Sequence, residues 1–129
     1  MENAELIKIA RSTINCWDLS SSGATSGGVA AALVTDKGNV YTGVCIDTSC
    51  SMGYCAEHNA IGTMITNKEN KIDKIVAVQW DGAVISPCGR CREFMYQVHD
   101  DNKHTDVILK DQVLKLSELL PHHWIEPNV

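Results

Sequence analysis

Three thiols and one carboxylate lie in two short segments, Cys55-Ala56-Glu57 and Pro87-Cys88-Gly89-Arg90-Cys91. Each segment runs into helix-compatible sequence, Ala60 to Ile65 after the first and Arg92 to Val98 after the second. The cysteines are therefore expected at helix N-termini. There, unpaired N–H groups and the positive end of the macrodipole lower thiol pKa values and favour the thiolate, the metal-binding form. Pro87 suits a helix start, since its missing N–H costs nothing there. Cys88 and Cys91, three apart, share one face. Three thiolates on a d10 ion leave the fourth tetrahedral position open, which is the catalytic arrangement for zinc, whereas four protein ligands make a closed, structural site. One Zn2+ per chain, held by Cys55, Cys88 and Cys91, is the expectation. Two other readings use the same thiols. Cys50 joined to Cys55, Cys88 and Cys91 would give a closed four-thiolate site in a zinc-stabilised, non-catalytic binding domain. A redox pair of Cys88 and Cys91 would leave Cys55 and Glu57 without a task.

The elements that must position these groups follow from periodicity. Leu6, Ile9, Ala10, Ile14 and Trp17 recur at a helical period, predicting an N-terminal amphipathic helix from Glu2 to about Trp17. A Ser/Gly-rich loop is expected from Asp18 to Gly28. A hairpin of Val29–Thr35 and Val40–Ile46 around Asp36-Lys37-Gly38-Asn39 follows, and then an irregular loop that delivers Cys55. The helix after Cys55 should bury Ala60, Ile61, Met64 and Ile65. Ile75-Val76-Ala77-Val78 is an unbroken apolar run, the mark of a strand covered on both faces. Val107-Ile108-Leu109 is another strand, and Val113 to Leu120 an edge strand or helical turn. Strands alternating with helices predict an α/β fold: a three-layer α-β-α sandwich with a mixed five-stranded sheet, antiparallel in the hairpin and parallel where helices cross over. The thiols should then lie in the crevice at the strands' carboxyl ends.

Length and charge narrow the function. A chain of 129 residues suits one domain, residues 1–129. No basic, apolar leader opens it and no stretch approaches a membrane span, so a cytoplasmic protein with no membrane partner is expected. Without export, three disulfides are not expected, leaving Cys16, Cys45 and Cys50 reduced. A net charge of −5 with eleven scattered Lys and Arg argues against nucleic acid and for a small, diffusible substrate.

The Cys-x-Glu segment followed by Pro-Cys-x-x-Cys resembles the zinc-binding signature of the cytidine deaminase superfamily, in which the glutamate is acid/base and not ligand. The resemblance covers nearly the whole chain. It is strongest at Ser86-Pro87-Cys88-Gly89-Arg90-Cys91-Arg92, Val29-Ala30-Ala31-Ala32-Leu33, Tyr41-Thr42-Gly43-Val44 and Glu118-Leu119-Leu120-Pro121, where it is most like the blasticidin-S deaminase branch. It implies hydrolytic loss of the 4-amino group from a free cytosine nucleoside, blasticidin S or cytidine/deoxycytidine, with Glu57 carrying the protons. It also implies a cytidine deaminase-like fold and a homo-oligomer, usually a tetramer. Asp47, Ala56, Ser86 and Trp124 are the candidate substrate contacts, with Trp80 a weaker one. Arg90 and Arg92 are candidates to offset the thiolate charge. The nucleoside branch often has arginine after the glutamate, and this chain has His58. Where that branch carries a Phe at the head of its Val-Gly-Ala-Ala-Leu-like strand, and an Asn-x-Glu pair for the ribose, this chain has Gly27-Gly28-Val29 and Cys45-Ile46-Asp47.

Overall fold

The computed structural model describes residues 1–125. The elements are α1 (Asn3–Thr13), β1 (Trp17–Asp18), β2 (Thr25–Thr35), β3 (Val40–Asp47), α2 (Ala56–Thr66), β4 (Ile72–Gln79), β5 (Val84–Ile85), α3 (Gly89–Val98), β6 (Asp106–Ile108), β7 (Val113–Lys115) and α4 (Leu116–Leu119). Single 3-10 turns occupy Ser49–Ser51 and Asp100–His104.

One seven-stranded mixed sheet runs β1-β2-β4-β6-β7, with β3 paired to β2 and β5 to β4. The two-residue strands β1 and β5 are additions to the expected five, β3-β2-β4-β6-β7. They belong to segments too short and too polar for a period-2 signal to show. β2 pairs antiparallel with both β3 and β4, and β4 pairs parallel with β6. Hence β3 and β4 point the same way with β2 between them; α2 follows β3, and α3 follows β4 after the two-residue β5. Both helices therefore start from the same end of the sheet.

Alternation along β2 and β4 divides the core. Ala30, Ala32, Val34, Val76 and Val78 pack with Leu6 and Ala10 of α1 on one face. Ala31, Leu33, Ile75 and Ala77 pack with Ala60, Ile61, Met64 and Met95 of α2 and α3 on the other. These are the three layers expected, and β4 is the doubly covered strand its sequence announced. Two boundaries and one side chain differ. α1 stops at Thr13, and Trp17 sits exposed in β1, because Gly27 brings β2 against Asn15: a Cβ there would stand 1.8 Å from the Asn15 carbonyl oxygen. β2 begins four residues earlier than the apolar run, its polar start held by β1 and β3. Ile65 is 44 % exposed, at the edge of the stripe that buries Ala60, Ile61 and Met64. The segment expected as strand or helical turn contains both, β7 and then α4.

Two polar clamps tie these layers together. Buried Asn102 accepts from the Ile72 backbone N–H at 2.8 Å and donates to the carbonyls of Asn70 and Met95 at 3.0 and 2.8 Å, joining β4 to the end of α3. Glu69, just past α2, accepts from the Tyr41 hydroxyl at 2.6 Å and the Asn39 amide at 2.9 Å. The Tyr41 bond, with Thr35 next, holds its carboxyl below the usual range.

Two outcomes are expected. Asn102→Ala strands one N–H and two carbonyls, and should cost about 2–4 kcal/mol in urea denaturation. A depressed carboxyl means the unfolded chain binds that proton more readily, so the contribution of Glu69 is whole above the ordinary carboxylate value of 4.5 and is lost as pH falls through the lower folded value. Stability measured against pH should therefore fall less steeply at the acid end in Glu69→Gln than in the parent.

Candidate metal centre and pocket

α2 lies directly on β3 because Gly43 lets it. A Cβ at that position would meet the Ala60 nitrogen at 2.5 Å and the Ala56 carbonyl oxygen at 2.8 Å. Asn59 fastens the first turn by donating to the Val44 carbonyl at 3.1 Å. The loop between β3 and α2 is pinched shut where Ile46 and Tyr54 exchange backbone hydrogen bonds, both 3.0 Å, over Gly53, which has no room for a Cβ. Cys55 thus emerges as the N-cap of α2, and Cys88 takes the same place on α3 with Cys91 one turn in.

The sulfurs converge as the spacing predicts. Cys88 Sγ stands 3.7 Å from Cys55 Sγ and 3.5 Å from Cys91 Sγ. A fourth donor joins them. Nδ1 of His58 is 3.4 Å from Cys91 Sγ, and the donor atoms of Cys55, His58 and Cys91 all lie within 4.8 Å of one another. Tetrahedral zinc with bonds near 2.3 Å to sulfur sets its thiolates roughly 3.8 Å apart, so this soft donor set fits that ion as it stands. Among the described residues Cys50 makes no sulfur contact; it sits exposed on the 3-10 turn with left-handed backbone, φ 61°, so a four-thiolate closure is not what the fold assembles.

The thiols titrate differently from one another in the metal-free protein. The helix-terminus expectation holds for Cys88, where burial pushes the pKa up but the N–H groups of Cys91 and Arg90, with the neighbouring thiols, outweigh it and leave it lowered. It fails for the other two. Burial raises Cys55, and burial followed by the charge of Glu57 pushes buried Cys91 far up. Of three sulfurs this close, the one with the best amide contacts gives up its proton most readily.

Beside them a cavity of about 550 Å³ is bordered by Cys55, Ala56, Glu57, Ser86, Cys88 and Arg90 on one side, and by Val29, Cys45 and Asp47 on the other. That volume is ordinary for a small-molecule site. Glu57 is 4 % exposed, and burial raises its pKa. Ser86 Oγ accepts from Arg92 Nη2 at 2.9 Å, which leaves its own hydrogen available to the cavity. Cys45 Sγ accepts the Val29 N–H at 3.2 Å and points its hydrogen at Asp47 Oδ2, 3.8 Å away.

Other expected residues are elsewhere. Arg92 sends Nε to the Pro87 carbonyl and Nη1 to the Leu119 carbonyl, besides Ser86, so it braces the loop before α3 and the tail rather than a sulfur. Arg90 borders the cavity, and its charge, after burial, lowers the pKa of His58. Trp124 is 80 % exposed, its backbone N–H donating to Glu93 at 2.9 Å, and Trp80 is 69 % exposed; neither borders the cavity. The sequence marked His58 only as a departure from the arginine of the nucleoside branch, and not as a donor beside the sulfurs, although its place three residues after Cys55 puts both on one helix face; it gave no sign of the loop side chains Thr48, Ser51 and Tyr54, which also line the cavity.

The model of the cytidine and deoxycytidylate deaminase zinc-binding region matches residues 7–105. A blasticidin-S deaminase from Bacillus cereus is 36 % identical over 76 residues, covering 52 % of this chain and 54 % of that one. A cytidine deaminase from Mycobacterium tuberculosis is 28 % identical over 94 residues, covering 72 % and 69 %. The match thus spans about half the length of the first relative and about two thirds of the second. The crystal structure of cytidine deaminase from Mycobacterium tuberculosis superposes with a TM-score of 0.81 at 22 % identity, over 96 % of this chain and 98 % of that one, which establishes a shared fold.

The titration pattern has a direct readout. In metal-free protein near neutral pH, iodoacetamide should alkylate Cys88 well ahead of Cys55 and Cys91, as followed by peptide mass mapping. Equal rates at the three positions would contradict the ordering.

Proposed function

Because the chain belongs to the cytidine and deoxycytidylate deaminase family, by a zinc-binding-region match over most of its length, we propose that it hydrolyses the 4-amino group of a free cytosine nucleoside to the uracil form and ammonia. The observation that carries this reading is one buried carboxylate, Glu57, opening with Cys55 and Cys88 into a single cavity of small-molecule size. Cys55, Cys88 and Cys91 hold one zinc ion. Bound there, zinc supplies a Lewis acid that makes a water acidic enough to act as nucleophile near neutral pH.

Glu57 does the proton work. It takes a proton from the attacking water and delivers it to ring N3 as the new C4–O bond forms. It then passes the second proton to the exocyclic nitrogen as the C4–N4 bond breaks and ammonia leaves, so water and nucleoside balance product and ammonia. Burial suits this carboxylate to both duties, because a raised pKa brings it nearer to the groups with which it exchanges protons. Ala56, at the first helical position of α2, has an N–H with no intrahelical partner to offer the base. Ser86 offers its hydroxyl, and the carboxylate of Asp47 accepts from the sugar.

Blasticidin S is the first substrate to test, followed by cytidine and deoxycytidine. The likeness to a blasticidin-S deaminase supports that order, as does the sugar end of the cavity, where a valine, a thiol and an aspartate stand in place of the aromatic and the Asn-x-Glu pair of the nucleoside branch. The working unit is the whole chain, 1–129, as one domain. A homo-oligomer, a tetramer by family likeness, acting in the cytoplasm completes the reading. No helix among the described residues is long and apolar enough to cross a membrane.

With metal-replete protein, ammonia release should appear with at least one of the three nucleosides. Glu57→Gln should retain one zinc per chain and lose at least ~10²–10⁴ in turnover. Retained activity in that variant, or no release from any of the three, would reject the proposal.

A further inference from the structure

We propose that His58 donates its Nδ1–H to the Cys91 sulfur, and that this bond is the compensation this chain uses for the charge of its three-thiolate site. The inference rests on the reading that Cys55, Cys88 and Cys91 hold zinc. Three thiolates on a divalent ion leave the centre formally at −1, and charge of that kind is kept inside a protein only when donors reach it. Cys91 has the greatest need of one. It is fully buried, so water does not serve it.

His58 is the side chain positioned to answer. Its Nδ1 stands 3.4 Å from Cys91 Sγ. A metal-bound cysteine sulfur carries no hydrogen and only accepts, so the hydrogen must be on Nδ1 and Nε2 is the bare nitrogen. The neutral ring is sufficient. It is also held still: it stacks on Phe94 with centroids 4.3 Å apart and planes 13° from parallel, and it rides on α2 one turn beyond Cys55. Arg92 does not compete for the task, since its guanidinium is committed to the carbonyls of Pro87 and Leu119 and to Ser86.

The other role open to His58 is that of ligand, because its nitrogen lies within 4.8 Å of both Cys55 and Cys91 sulfurs. Placement decides against it. Cys55, Glu57 and Cys88 border the cavity, whereas His58 opens into a separate groove with Tyr54, Asn59, Gly62 and Phe94. Cys88 already stands near tetrahedral spacing from each of the other two sulfurs without it. The three sulfurs would hold the metal, two of them at the cavity wall, and His58 meets Cys91 from the separate groove. It is a positioning residue, acting through the sulfur and not on the substrate.

The test uses full-length protein and two substitutions, His58→Ala and His58→Asn, in which the asparagine amide N–H can stand where Nδ1–H stood. Zinc affinity is measured by chelator competition, and the donor set by the thiolate-to-metal charge-transfer and ligand-field bands of the cobalt(II) form. His58→Ala should bind zinc about 10–100-fold more weakly, the usual loss when a partner of a metal ligand is removed. It should keep one metal per chain and the parent's cobalt band intensities, and His58→Asn should recover most of the affinity. An unchanged affinity in His58→Ala overturns the inference. So does a cobalt spectrum that loses a ligand's signature, which would make His58 a ligand, and so does an asparagine variant no better than alanine, which would reduce the residue to packing. Parent protein that fails to take up one zinc per chain would bring down the three-cysteine site itself, and the inference with it.

Discussion

Three sulfur atoms, successive ones 3.7 and 3.5 Å apart, cannot all be anions unless a cation sits among them. The surrounding architecture serves to hold them in that unfavourable company. β3 and β4 run the same way because β2 lies antiparallel between them, so the helices that follow both begin at one rim of the sheet. Gly43 removes the one Cβ that would lift α2 off β3. The Asn102 clamp fixes the far end of α3, so that its first turn does not swing. Without metal, burial resolves the crowding by keeping protons on Cys55 and Cys91 and leaving Cys88 as the easiest thiolate.

The sequence disclosed those parts whose signal is local. Cys-x-Glu and Pro-Cys-x-x-Cys each sit inside one helical turn, so their geometry needs no knowledge of the rest of the chain, and both turns fall where their spacing places them. The doubly apolar run of β4 and the alternation of β2 gave the layers for the same reason. What escaped reading depends on contacts between distant segments. Arg92 looked like a charge partner because it is next to Cys91 in sequence, yet a helix turns successive side chains about 100° apart, and its guanidinium reaches Ser86, Pro87 and Leu119 instead. His58 meets Cys91 across thirty-three residues, a meeting that requires α2 and α3 to be docked first. Trp124 belongs to a tail with little periodicity, and nothing in its composition tells which surface it lies against.

The cavity's two sides differ in kind. The side bearing the thiols is rigid, made of two helix starts whose free N–H groups and buried carboxylate are fixed by backbone geometry. The opposite side is built from the end of β3 and the loop after it, where Cys45 and Asp47 are joined by a weak thiol contact and Cys50 and Ser51 adopt left-handed backbone, φ 61° and 56°. Chemistry that is common to a family belongs on the first side. The second side is where a change of side chain would disturb neither the sulfurs nor Glu57.

The three sulfurs proposed to hold the metal are divided between two helix starts, Cys55 on α2 and Cys88 and Cys91 on α3, and neither helix holds the complete set. On that proposal a ribosome-bound chain would have no complete place for the ion until residue 91 has left the exit tunnel, and metal uptake would come late, after α2 and α3 have docked.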